Sequence, residues 1–144
     1  MSLKDGTKKM SKSELSDLSR INLTDSKDSI INKIKKAKTD PMPLPSDIKE
    51  LDKRPEAKNL LGIYSSLENI TLEKSIQIFN GKNFSDFKDK LSDTLIENIE
   101  PISKEIKKLL KDEKYLDSIL LDGSKKADKV ASKKIKEMKE LVGF

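Results

Sequence analysis

Most apolar residues of this chain recur at intervals of three or four, which is the spacing of one face of an α-helix. The longest such run extends from about residue 84 to residue 111, and every step in it is three or four. It comprises Phe84, Phe87, Leu91, Leu95, Ile99, Ile102, Ile106 and Leu109. Because the period continues through Pro101, we expect one kinked helix here rather than two helices.

Capping residues and prolines predict the limits of four further helices. The first helix starts after Ser26, a favourable N-cap residue, and stops before Pro41. The second begins at Pro55, and the third follows Thr71. The last extends from about residue 113 to residue 141. The predicted fold class is therefore all-α, a helical bundle of about five helices preceded by an extended polar loop.

The first helix illustrates how the faces are assigned. Its apolar face is predicted to consist of Ile30, Ile31, Ile34 and Ala37. The rest of its surface is assigned to Lys33, Lys35, Lys36 and Lys38. A basic, solvent-facing side that is densest near the C-terminal end suits the helix dipole.

The first 25 residues lack a sustained period and are rich in lysine and serine, so they are predicted to form an exposed loop. The chain is therefore expected to divide into residues 1–25, the loop, and residues 26–144, the helical domain.

Composition limits the possible functions. Hydrophobic residues make up 34% and charged residues 38%, which predicts a thin core beneath a charged surface. The formal charge of +5 is compatible with an anionic partner such as RNA. Arginine is the side chain best suited to bidentate hydrogen bonds with base edges. Because it occurs only at Arg20 and Arg54, any nucleic-acid contacts are expected to be mainly between lysine and phosphate.

The chain contains no cysteine and no histidine. This excludes disulfides, thiolate catalysis, an imidazole base and ordinary zinc sites. No carboxylate pair suggests a catalytic or metal role, so no metal site is predicted. Because no apolar run has membrane-spanning length and no signal peptide is evident, we expect a cytoplasmic protein without a membrane partner.

Residues 9–13, Lys-Met-Ser-Lys-Ser, are the one short motif with a chemical mechanism. Two lysines three positions apart on a mobile loop can reach different oxygens of one triphosphate. Cations placed there would stabilise a departing pyrophosphate in the transition state. The pentapeptide matches the second signature of class I aminoacyl-tRNA synthetases. The alternative interpretation of the five residues alone is a solvated surface loop.

Further blocks of sequence resemble the tryptophanyl-tRNA synthetase family, in that family's order and spacing. Residues 21–25 and 30–40 resemble the segment that follows this loop in the family. Additional similar blocks lie at residues 54–55, 59–64, 84–88 and 100–102 and at Tyr115, Leu116, Gly123, Lys126, Ala127 and Ala131. The resemblance extends from about residue 3 to residue 143.

The resemblance implies a part of an enzyme that activates tryptophan with ATP and magnesium and transfers it to tRNA(Trp). Such enzymes are homodimers and do not act on DNA. Residues 1–25 would be the KMSKS loop of a catalytic domain that is otherwise missing, and residues 26–144 the tRNA- or anticodon-binding domain. The family's first signature contains histidines, which this chain lacks, so the tryptophan site is expected in the missing domain. This chain alone is expected to be inactive.

The resemblance also assigns site residues. Lys12 would be the main catalytic contact to the ATP phosphates, supported by Lys9. Ser11 and Ser13 would donate hydrogen bonds to ATP, and Met10 would place its backbone near the adenine. The proposed tRNA-binding residues are Lys125, Lys126, Lys129, Lys133, Lys136 and Lys139 on the last helix; the alternative is a plain basic surface.

Two other classes of protein remain open at this stage. A stand-alone, small basic helical protein that binds RNA or the ribosome would explain the charge. A partner-binding helical module would use the small residues Gly123, Ala127 and Ala131, which recur every four positions and allow close approach of another chain.

Overall fold

The computed structural model describes residues 1–143, which form five α-helices and two short 3-10 helices and contain no strand. The α-helices are α1 (Lys27–Lys35), α2 (Pro55–Leu67), α3 (Leu72–Phe79), α4 (Phe84–Leu109) and α5 (Glu113–Val142). The 3-10 helices span Asp17–Ser19 and Ile48–Lys53. The predicted all-α class is confirmed.

The predicted helix starts are confirmed by capping contacts. The Ser26 side chain accepts a hydrogen bond from the Ser29 N–H at 3.2 Å. The Thr71 side chain accepts one from the Lys74 N–H at 3.3 Å. Pro55 occupies the first turn of α2, where its missing N–H costs nothing.

Helix α1 ends at Lys35, several residues before the predicted stop at Pro41. The Ala37 N–H bonds to the Ile34 carbonyl, which tightens the last turn. The Lys38 N–H then donates to the Leu3 carbonyl at 2.8 Å and so leaves the helical pattern. A contact with a distant segment therefore overrides the local helical tendency.

The chain separates into two compact units, Met1–Lys104 and Glu105–Phe144. The first unit contains the hydrophobic core, to which α1, α2, α3 and α4 all contribute. At its centre the rings of Tyr64, Phe79 and Phe87 pack edge to face, with centroids 4.7–6.1 Å apart. Helix α4 continues through Pro101, as its period predicts.

The second unit consists of the end of α4 and helix α5, and no described residue of α5 is buried. The helical spacing of apolar residues around Tyr115 predicts a core position for this residue rather than a surface platform for stacking bases, and that prediction is wrong, since Tyr115 is 49% exposed. The apolar residues of α5 lie mainly on one face of the helix and comprise Leu116, Ile119, Leu120, Val130, Ile135, Met138 and Leu141. One long helix and the end of another do not provide enough surface to cover this apolar face within this unit.

Among residues 1–143, no helix is long and apolar enough to span a membrane.

Candidate functional site

The segment that carries the lysine pentapeptide is fixed to the helical body at its base. The Leu3 N–H donates to the Ser19 carbonyl at 2.9 Å, and the Leu3 carbonyl accepts from Lys38 at 2.8 Å. The Leu3 side chain is only 2% exposed and belongs to the same core cluster as Ile30 and Ile34. Residues 4–18 therefore form a loop whose two ends are joined to each other and, through Leu3, to the segment that follows helix α1.

The backbone of the first part of this loop lies very close to the start of α2 at Gly6. A Cβ atom at Gly6 would lie 2.5 Å from the Pro55 carbonyl oxygen, a distance that real Cβ contacts do not reach. Only glycine allows the backbone to pass so near the start of α2. The loop also folds on itself, since the Ser2 N–H donates to the Lys8 carbonyl at 2.8 Å.

The pentapeptide lies at the tip of the loop in a tight turn. The Ser13 N–H donates to Ser11 Oγ at 3.2 Å, and the Glu14 N–H donates to the Ser11 carbonyl at 3.4 Å. Lys9 and Lys12 are exposed, and within the described chain no carboxylate lies within 4.0 Å of either ammonium. Both cations are therefore available to an external anion.

A polar cavity of about 310 Å³ opens beside the loop. Its lining includes Lys9 and Ser11 of the pentapeptide, together with Lys8 and Ser19, but not Lys12. Ser19 Oγ is buried and has no hydrogen-bond partner among the described residues. The structure thus brings one predicted lysine and one predicted hydroxyl to a cavity that Asp5 and Glu14 also line, and Lys12 does not contribute to that lining.

An ionic network that the sequence pattern did not predict lies at the exit of the loop. Lys33 was assigned to the solvent-facing side of the first helix, but that prediction is wrong, because the residue is 2% exposed. Its ammonium lies 2.6 Å from Asp17 Oδ2 and 2.7 Å from Asp25 Oδ2. The hydrogen bond from Lys33, with a second from Asn22, holds the pKa of Asp17 below its ordinary value.

One signal for this network was present in the sequence. Lys33 follows Ile30 by three positions and precedes Ala37 by four, so the helical period places it beside the buried face. A lysine there requires a carboxylate partner, because an unpaired buried cation is costly.

The predicted tRNA-binding lysines are all exposed on α5. At about 100° per residue, Lys125, Lys129, Lys133 and Lys136 fall within an arc of about 80°. Lys126 and Lys139 lie about 20° and about 40° outside this arc on opposite sides, and Lys126 pairs with Asp122 at 2.7 Å. The structure therefore keeps the predicted set on one face of a single helix.

The fold, the anchored loop and its two exposed lysines agree with a comparison to known families. The family model described as "tRNA synthetases class I (W and Y)" matches residues 1–114. The chain belongs to this family of class I synthetases for tryptophan and tyrosine. A stand-alone binding protein of unrelated ancestry would not give such a match.

Within the family, the chain is similar to the C-terminal portion of tryptophan–tRNA ligases. It is 47% identical over all 144 residues to the enzyme of Brucella melitensis biotype 1, of which it covers 41%. It is 49% identical to the enzymes of Agrobacterium fabrum and Rickettsia felis, of which it covers 41% and 43%. The chain thus spans about two fifths of the length of these relatives.

A solved structure supports the same relationship. The crystal structure of tryptophanyl-tRNA synthetase from Mycoplasma pneumoniae matches with a TM-score of 0.58 and 28% sequence identity. The match covers 74% of this chain and 34% of that one.

Proposed function

We propose that this chain is part of an enzyme that joins tryptophan to tRNA(Trp) in two steps. In the first, tryptophan and ATP give tryptophanyl-adenylate and pyrophosphate. In the second, a hydroxyl of the tRNA 3′-terminal ribose attacks the aminoacyl carbonyl carbon, and AMP leaves. The observation that carries the proposal is a pair of exposed lysines without carboxylate partners, on a loop anchored at both ends, in a member of this synthetase family.

In the first step the tryptophan carboxylate oxygen attacks the α-phosphorus of ATP. The bond between the α-phosphorus and the bridging oxygen breaks, and its electron pair leaves with pyrophosphate. Lys12, supported by Lys9, neutralises the charge that grows on the leaving group. The O–H of Ser11 is free to donate to a phosphate oxygen, because its Oγ already serves as the acceptor for Ser13.

The other two residues of the pentapeptide complete the ATP contacts in this proposal. Ser13 donates its hydroxyl hydrogen to a phosphate oxygen, and Met10, which is half-buried, places its backbone near the adenine. ATP is used as its magnesium complex. The ammonium groups of Lys9 and Lys12 are donors only, so they suit phosphate oxygens rather than the metal.

The two parts of the chain have different roles in this proposal. Residues 1–25 supply the ATP loop to a catalytic domain that holds the tryptophan site, and residues 26–144 hold tRNA through phosphate contacts. The complete enzyme acts as a homodimer in the cytoplasm. The lysine face of α5, formed by Lys125, Lys129, Lys133 and Lys136, supports the RNA-binding part of this proposal, because it presents several positive charges close together.

The complete protein that contains this chain is expected to charge tRNA(Trp) with tryptophan and not with tyrosine. Aminoacylation with radiolabelled tryptophan or tyrosine, using tRNA from a related bacterium, measures this directly. The family comprises enzymes for both amino acids, so tyrosine is the sharpest control. Charging with tyrosine, or with neither amino acid, would contradict the proposal.

Reversing charge on the lysine face should weaken tRNA binding. We expect Lys129→Glu with Lys133→Glu to raise the Kd for tRNA about tenfold at low salt and to reduce its salt dependence, because two phosphate contacts are lost. Binding titrations at several salt concentrations measure both quantities.

A matched control uses the same change of net charge elsewhere in the second unit. Lys134 points about 140° away from the centre of the lysine arc and pairs with Glu137, and Lys107 belongs to α4. The double variant Lys107→Glu with Lys134→Glu should change the Kd much less. An equal loss in both variants would show that only net charge matters and that α5 has no specific tRNA face.

A further inference from the structure

We propose that Arg20 is a positioning residue that holds the tip of the ATP loop in the conformation needed for adenylation. This inference rests on the proposed function of the loop and extends it to a residue outside the pentapeptide. It is based on a side chain that reaches from the base of the loop to the backbone on both sides of Lys12.

The contacts of Arg20 explain why one side chain can fix the turn. One guanidinium nitrogen, Nη1, donates to the Glu14 carbonyl at 3.0 Å and lies 3.4 Å from the Ser11 carbonyl. These carbonyls flank Lys12 and Ser13 at the tip. The guanidinium is a rigid planar fork with five donors, so it can gather several acceptors at a fixed geometry.

The Arg20 guanidinium is in turn fixed by charged residues at the base of the loop. Its Nη2 lies 3.2 Å from Asp17 Oδ1, and the other oxygen of Asp17 contacts Lys33 at 2.6 Å. Lys33 is nearly inaccessible, and its second partner is Asp25, whose side chain is 9% exposed. Asn22 adds two bonds, from its side chain to Asp17 and from its N–H to Asp25, both at 2.9 Å.

These contacts form a continuous path from helix α1 to the loop tip: Lys33, Asp17, Arg20 and then the carbonyls of Ser11 and Glu14. Lys33 belongs to a regular helix whose neighbouring residues Ile30 and Ile34 are core residues. Charge-assisted hydrogen bonds are shorter and stronger than neutral ones, which makes such a path stiff. The position of Lys12 is therefore set by a rigid helix rather than by the loop alone.

A preorganised turn matters because an exposed lysine on a free loop must be ordered during the reaction. Holding a catalytic group near its working position lowers that entropic cost. Arg20 does not touch ATP in this scheme, and it acts through the backbone that carries Lys12.

The first test is kinetic and uses the complete enzyme. Arg20→Gln removes the charge and most donors, and it should lower kcat/KM for ATP about tenfold, as the loss of one or two charge-assisted hydrogen bonds predicts. The KM for tryptophan should remain unchanged, because the loop tip binds phosphates. Arg20→Lys keeps the charge without the fork and should give an intermediate value. Unchanged kcat/KM for ATP, or a rise in the KM for tryptophan as large as the loss in kcat/KM for ATP, would overturn the proposal.

The other arginine of the chain provides a matched control. Arg54 makes a bidentate pair with Asp40 at 2.6 and 2.9 Å, is buried, and makes no hydrogen bond to residues 9–15. Arg54→Gln should lower the melting temperature but leave kcat/KM for ATP near the wild-type value. If it lowers kcat/KM for ATP as Arg20→Gln does, the effect arises from general destabilisation and the positioning role is refuted.

A second test does not depend on enzyme activity. In the 144-residue chain, a lysine-specific protease should cleave after Lys12 several-fold faster when Arg20 is replaced by glutamine, because the turn opens more often. Equal cleavage rates would refute the positioning role. If the complete wild-type protein fails to activate tryptophan, the proposed function is wrong, and this protease test still decides whether Arg20 holds the loop.

Discussion

Replacing Lys12 by alanine in the complete enzyme should slow formation of tryptophanyl-adenylate by about 10²–10³-fold, the usual effect of losing one group that stabilises transition-state charge. Tryptophan binding should change little. The Lys12 ammonium is exposed and, among residues 1–143, has no carboxylate within 4.0 Å, so its removal breaks no ion pair there. An interaction that is made only with the departing pyrophosphate affects the rate rather than the binding of the other substrate.

Rapid-quench kinetics measures the adenylation rate, and equilibrium titration measures tryptophan binding. Lys49→Ala is a matched control, because Lys49 is also an exposed lysine but lies in the 3-10 helix Ile48–Lys53. We expect this control to behave like the wild type. A Lys12 variant that loses tryptophan affinity as strongly as rate would show that the residue has no selective role in the transition state.

Replacing Lys33 by methionine should lower the free energy of unfolding by about 3 kcal/mol, because the change leaves a buried carboxylate without its counter-charge. The side chains of Lys33 and Asp25 are 3% and 9% exposed, and their charged groups are 2.7 Å apart. The low end of the range of effects for buried pairs is appropriate, since the second partner, Asp17, is more than half exposed.

Denaturant unfolding of the 144-residue chain measures this loss. The control Lys35→Met changes an exposed lysine of the same helix and should alter stability by no more than about 0.5 kcal/mol. Adding Asp25→Asn to the Lys33 variant should recover part of the loss, because the unpaired carboxylate is then removed. Equal losses in the Lys33 and Lys35 variants would contradict the buried network.

The contact between Lys33 and Asp17 has a defined dependence on pH. The hydrogen bond from Lys33 lowers the pKa of Asp17 in the folded protein below its ordinary value of 3.8. The stabilisation is therefore present above that value and is lost as the pH falls through the lower, folded pKa. The Lys33 variant should lack this part of the acid dependence.

Local features of the sequence predicted the helices well. Ser26, Pro55 and Thr71 act through neighbours within four residues, so the positions at which helices begin could be read directly. The regular spacing of apolar residues on both sides of Pro101 likewise predicted correctly that α4 continues through this proline. The early end of α1 could not be predicted, because it depends on a backbone bond from Lys38 to Leu3, which is distant in sequence.

The candidate site was only partly predictable for the same reason. The pentapeptide is a local motif, but the anchoring of its loop depends on Leu3, Gly6 and Ser19, none of which belongs to a periodic pattern. Lys33 was misassigned because a polar pattern treats every lysine as a surface residue. The period of α5 predicted an amphipathic helix, yet a period does not tell whether its apolar face is buried, and Tyr115 is 49% exposed.

Exchange of labelled pyrophosphate into ATP by the complete protein, with tryptophan as the only amino acid, most directly tests whether this loop serves tryptophan activation. We predict rapid exchange that requires tryptophan and falls steeply when Lys12 is replaced by alanine. Exchange that proceeds equally well in the Lys12 variant, or that does not occur with tryptophan, would contradict the assignment of these lysines to the departing pyrophosphate.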